Sequence, residues 1–105
     1  MKKYKVRVSL EAKEDLREIL RYLKYELKNG QAAQSVMADY IKTRNRLTLS
    51  AGSLKEPEPD TICGVRKLKR INFTSHDFFL LFRLEDDIVY VTNIFHQSQD
   101  YERKL

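Results

Sequence analysis

The sequence predicts a two-layer α+β domain with the element order β-α-α-β-β-β, a helical hairpin packed on a small antiparallel sheet. Three observations point there. Two long segments of the first half place apolar residues at three- and four-residue steps, the period of an amphipathic helix. Three apolar runs separated by short polar turns fill the second half, as in a β-meander. A short alternating segment precedes them all. The chain has 105 residues, which makes one domain, 1–105, with a single modest core.

The first strand spans residues 4–8, where Tyr4, Val6 and Val8 alternate with Lys5 and Arg7. Ser9 is placed to cap a helix over 10–28, and Glu11, Glu14 and Asp15 put negative charge at its positive end. Its stripe is Ala12, Leu16, Ile19, Leu20, Leu23 and Leu27. Asn29-Gly30 should end it, with glycine taking the left-handed conformation. A second helix over 31–49 carries Ala33, Val36, Met37, Tyr40, Ile41 and Leu47, broken by Arg44. The short link makes the two helices antiparallel neighbours.

Residues 50–64, with Gly52, Pro57, Pro59 and Gly64, read as a surface loop inside the domain. Strands follow at 65–73, 78–84 and 88–96, joined by Thr74-Ser75-His76-Asp77 and Glu85-Asp86-Asp87. The middle strand is apolar almost throughout and belongs at the sheet's centre. Residues 97–105 form a polar tail with room for a last turn.

Twenty Lys+Arg against fifteen Asp+Glu give a formal net charge of +5, which attracts polyanions: nucleic acid, the ribosome or an acidic protein. Cys63 is the only cysteine, so no internal disulfide can form; it reads as a small apolar filler. No apolar run approaches the ~20 residues needed to span a bilayer, and the lysine-rich start lacks an apolar segment behind it, so the protein is expected in the cytoplasm without membrane contact. No phosphate-binding glycine loop, metal-ligand cluster or nucleophile elbow is present, so no cofactor or metal is expected.

Three local features could carry function. Arg66-Lys67-Leu68-Lys69-Arg70 has four cations in five residues, with Arg66 and Arg70 on one strand face and Lys67 and Lys69 on the other. It reads equally as a phosphate-contacting strand or as an edge strand guarded by charge. His96-Gln97-Ser98-Gln99-Asp100-Tyr101 could bind a polar partner, and His96 and Tyr101 could move protons; it also reads as a polar strand end. Arg83 stands in an apolar strand beside Glu85, Asp86 and Asp87, a setting for a structural ion pair.

Over nearly its whole length the chain resembles the RelE/ParE toxins. The resemblance is carried by Tyr4-Lys5-Val6-Arg7-Val8-Ser9 leading into Glu11-Ala12-x-Glu14-Asp15-Leu16, by Phe82-Arg83-Leu84-Glu85-Asp86-Asp87-x-Val89-Tyr90, and by Ile94-Phe95-His96-Gln97 with Asp100. It implies the toxin of a type II toxin–antitoxin module. It also implies a cognate acidic antitoxin that wraps the toxin as a helix and an extended strand, over a stripe including Leu16, Ile19, Leu20, Leu23, Val36 and Tyr40.

RelE-like members cut mRNA on the ribosome, and Lys67, Lys69, Arg70, His96 and Tyr101 are the residues here that such an endoribonuclease would use. ParE-like members poison DNA gyrase without chemistry of their own, and Arg66, Arg70, Arg83, His96 and Gln97 would then contact the target. The RelE-like pattern sets an arginine at the position of Phe79 and cations where this chain has Gln97, Ser98 and Gln99. Those departures, with Ser75-His76 and His96-Gln97-Ser98, place the chain nearer the ParE-like members. A third reading is a degenerate, non-toxic interaction module. The resemblance fixes neither the antitoxin's identity nor the oligomeric state.

Overall fold

A computed structural model describes residues 3–54, 61–99 and 101–105. Strand β1 (Lys5–Val8) leads into helix α1 (Leu10–Arg21), which runs on through a π-helical turn, Tyr22–Glu26, to helix α2 (Gly30–Ser50). A short 3₁₀ turn, Ala51–Ser53, and a four-residue helix α3 (Ile62–Val65) precede β2 (Lys69–Asn72), β3 (Phe78–Glu85) and β4 (Ile88–His96); a 3₁₀ turn, Tyr101–Lys104, closes the chain. Pro57 and Pro59 of the expected loop, and Asp100, lie outside the described residues. No helix among the described residues is long and apolar enough to cross a membrane.

The four strands lie in the order β1-β4-β3-β2. The expected antiparallel meander is β2-β3-β4, and β1 joins it parallel to β4, so the sheet is mixed. Asp86 at the β3–β4 turn has a φ of 54°, a left-handed conformation that aspartate tolerates and tight hairpins use. Leu81 faces Asn93 while Phe82 faces Val91, so Thr92 is the extra residue of a β-bulge.

Beyond Val91, β4 has no β1 neighbour, and α1 takes the missing strand's place. The Ser9 amide donates to the Val91 carbonyl and its hydroxyl to the Thr92 carbonyl, while the same hydroxyl caps α1 by accepting from the Ala12 amide. The Ile94 amide donates to Asp15 and the Asn93 side-chain amide to Glu11. The acidic residues expected to serve the helix dipole thus also satisfy a strand edge. Burial raises the Asp15 carboxyl above its ordinary range, and Glu11 adds repulsion; the Ile94 bond offsets only part of this.

The main core lies between the hairpin and one sheet face, with Val36, Tyr40 and Leu47 of α2 meeting Leu80, Phe82, Val89 and Val91. Two stripe positions depart from expectation. Leu27 is 54% exposed, because a π turn holds more residues than an α turn and carries it past the apolar face; Ile41 is also exposed, and Thr43 takes the buried place. The helix exit differs too. Lys28, with a φ of 50°, is the left-handed residue, while Asn29 caps α2 by accepting from the Ala32 amide and Gly30 begins that helix.

The strand expected over 65–73 is shorter. Ile62–Val65 is helical, Lys67 turns with a φ of 57°, and pairing begins at Lys69. Four cations on a strand with a covered face would bury charge; the turn leaves Arg66 and Lys67 in solvent. The sheet's other face has its own cluster of Cys63, Leu68, Phe79, Leu81 and Phe95, covered by Tyr101 and Leu105.

Candidate functional site: a groove under the hairpin and a divided set of cations

A groove of about 630 Å³ opens where α1 and its π-helical turn, the start of α2, the β2–β3 turn and the end of β4 converge. Its apolar wall is Ile19, Tyr22, Leu23, Leu27, Val36 and Phe78; its polar side is Ser75, His76, Asp77, His96 and Gln99. Tyr22 and Leu27, both more than half exposed, extend the apolar surface outward. The expected antitoxin stripe is therefore divided. Ile19, Leu23 and Val36 face the groove, Leu20 faces a second cleft on the outer side of the hairpin, Leu16 packs on the core, and Tyr40 is only 4% exposed.

The polar side of the groove is built on a buried carboxylate. Asp39, 5% exposed, accepts from the Thr74 and Ser75 amides at 3.1 and 2.9 Å and lies 2.7 Å from His76 Nδ1. Burial pushes this carboxyl upward, yet it sits below its ordinary range, because the bonds from His76 and the two amides and the attraction of a charged His76 outweigh desolvation. An acceptor-only carboxylate requires Nδ1 to carry a proton, so in the neutral form of the ring the lone pair is on Nε2, 3.2 Å from Ser35 Oγ. At the facing end of β4, the Ser98 amide donates to His96 Nδ1 at 3.0 Å, the Phe78 ring stands edge-on to the imidazole at 5.1 Å, and the Gln97 amide donates to the Asp77 carbonyl.

The groups an endoribonuclease would use are distributed over both faces of the sheet. Lys69 points toward the hairpin, 6% exposed, with Nζ 3.4 Å from the Ala51 carbonyl oxygen. Arg70 points the other way and lies over the Phe79 ring at 3.9 Å, while Tyr101 packs edge-on to the same ring at 5.1 Å. His96 is on the groove side with Phe78, and Lys67 is in the turn before β2. The structure brings Arg70 and Tyr101 onto a common ring but leaves Lys69 and His96 across the sheet from them.

Of the expected target contacts, Arg66, Arg70 and Gln97 are exposed. Arg83 makes the structural pair anticipated for it: its Nε is 2.7 Å from Glu85 Oε1, close but not aligned as a hydrogen bond, and its guanidinium lies over the Tyr90 ring at 5.2 Å.

A family model for the ParE toxin of the type II toxin–antitoxin system, parDE, matches residues 6–101. The chain belongs to this family. A search of curated proteins gives no match. Among solved structures, this ParE-family chain is similar to one described as the chromosomal ParDE TA system from P. aeruginosa. The TM-score is 0.71 at 16% identity, covering 89% of this chain and 95% of that one. At that identity the likeness is one of fold. It agrees with the mixed sheet and the hairpin, and family membership makes the chain a toxin component.

Sequence reasoning singled out Ser75-His76 and His96-Gln97-Ser98 of this ParE-family chain but not Ser35 and Asp39, the partners of His76. Asp39 was hidden because an aspartate in mid-helix carries no local sign of a contact with a turn 35 residues on. The one available signal was spacing: Ser35 and Asp39 are four apart, so α2 presents both on one side.

Proposed function

We propose that this toxin arrests growth by binding and poisoning DNA gyrase in the cytoplasm, and that a cognate antitoxin neutralises it by laying an amphipathic helix in the groove under the hairpin. The observation that carries the gyrase reading is the setting of Phe79. This position, where the nuclease-type pattern has an arginine, is fully buried among Phe95, Tyr101 and Arg70. A phenylalanine there offers no charge to a phosphorane-like transition state. The strand end beyond it is neutral, Gln97-Ser98-Gln99, and the remaining cations are split between the two sheet faces. A protein that acts by binding needs no such convergence.

The groove suits a helix whose apolar residues repeat at i, i+3/i+4 and i+7, facing Ile19, Leu23, Val36 and Phe78. Excess positive charge on the toxin would speed capture of an acidic segment.

The test is induced expression followed by two assays. Gyrase-dependent DNA breaks in cells, and cleavage complexes formed by purified toxin with purified gyrase, are expected. Mapped cuts in translated mRNA without DNA breaks would overturn the reading. For the groove, Leu27→Glu and Leu23→Glu should weaken antitoxin binding by at least about tenfold, the effect of ~1.4 kcal/mol; unchanged affinity would move the antitoxin elsewhere.

A further inference from the structure

The linkage at the groove's mouth has a connectivity that clamping a turn does not require. Ser35 Oγ, His76 Nε2, His76 Nδ1 and Asp39 Oδ2 follow one another at 3.2 and 2.7 Å. Ser35 and Asp39 project from the same side of α2, four residues apart, and the β2–β3 turn lays the imidazole across both. The carboxylate is buried and fixed by two backbone amides, the histidine is partly exposed, and the serine is exposed. His76 also lines the apolar groove of about 630 Å³, which could receive an acyl chain. These are a hydroxyl, a base in reach of it, a third group that orients the base, and an adjoining apolar cavity.

We propose that Ser35 is an activated nucleophile and that the chain carries an acyl-accepting site for small apolar esters, separate from its action as a toxin. The Ser35 Oγ–H gives its proton to His76 Nε2 as Oγ bonds the ester's carbonyl carbon. The carbon–oxygen bond to the leaving alcohol then breaks, and the Nε2 proton passes to that alcohol, leaving an acyl-Ser35. Water attacks the acyl carbon, loses its proton to Nε2, and releases the carboxylic acid as the proton returns to Oγ. Asp39 is a positioning residue, holding the tautomer that leaves Nε2 free to accept. Ser35 lies within the first half of α2, where neighbouring amides are bonded along the helix. A serine without preorganised oxyanion donors forgoes about 10²–10³ in rate. The expected behaviour is therefore stoichiometric acylation followed by slow deacylation.

The probes are p-nitrophenyl butyrate and an alkyl fluorophosphonate, used on the purified full chain with intact-mass measurement and peptide mapping. One adduct per chain on Ser35 is expected. Ser35→Ala should remove it while keeping the wild-type urea midpoint, since that side chain is exposed. His76→Gln should slow labelling at Ser35 by about 10²-fold, the contribution of a general base. Adducts scattered over lysines and tyrosines, an unmodified Ser35, or labelling at Ser35 that persists at the wild-type rate in His76→Gln would each overturn the proposal.

Discussion

Asp39→Ala tests how the β2–β3 turn is held. The carboxylate accepts from the Thr74 and Ser75 amides and from His76, and it is almost wholly buried. Hydrogen bonds to a charged group contribute about 1.5–3 kcal/mol each, so three give a gross value near 6 kcal/mol. Thr74 and Ser75 are themselves exposed, so water can reach part of what the alanine abandons. That reduces the expected loss to about 3 kcal/mol, the lower end for breaking a buried charged pair. A domain of this size has a total stability of about 5–15 kcal/mol, and each kcal/mol moves the melting temperature by roughly 4–8 °C, so a fall of at least ~12 °C is expected.

The pH dependence has a definite sign. A carboxyl held below its ordinary range stabilises the fold at pH values above that range, and the contribution is lost as pH falls through the lowered folded value. The gap between wild type and Asp39→Ala should be full at pH 7 and narrow as pH drops below about 4. Urea denaturation followed by far-UV circular dichroism at both pH values measures it. A difference under ~0.5 kcal/mol at pH 7, the level of an ordinary surface change, would refute the clamp, as would a gap that does not narrow in acid.

Two further substitutions probe the other departures. Gly30→Ala should raise stability by about 0.5 kcal/mol in the same urea assay, because Gly30 begins α2, a Cβ there meets open space, and Lys28 rather than Gly30 holds the left-handed turn; a loss of stability would show that the glycine is needed. The raised Asp15 carboxyl binds its proton more tightly in the folded state, so its contribution to stability declines as pH rises through that folded value. Asp15→Asn keeps an oxygen for the Ile94 amide and should be neutral or stabilising at pH 7, with a flatter pH profile; a loss above ~1 kcal/mol would show that the charge itself holds the helix to β4.

The sequence carried the elements well where a single period dominated. β4 begins and ends where its apolar run predicts, and Ser9 caps α1 as expected. It failed where side chains act across the fold. Nothing near Asp15 in the chain says that a strand 79 residues away needs an acceptor. The pentapeptide Arg66–Arg70 reads as a strand only if its flanks are ignored; the face under the hairpin accepts Lys69, near a carbonyl at the hairpin's end, but not a second lysine, Lys67, so the backbone turns instead. The π turn at Tyr22–Glu26 was equally invisible, since its residues follow the helical stripe until Leu27 falls out of phase. In the groove, the histidines were legible as unusual polar residues, and the partners of His76, Ser35 and Asp39, became evident only once α2 and the β2–β3 turn were adjacent.

The place of β4 has a bearing on biosynthesis. Its residues 88–96 lie between β3 and β1, a strand synthesised some eighty residues earlier, and Lys5 pairs with Ile88. Until β4 has emerged, β1 has no strand to pair with and α1 no strand edge to dock on. A ribosome that stops before β4 releases a fragment unable to close this sheet.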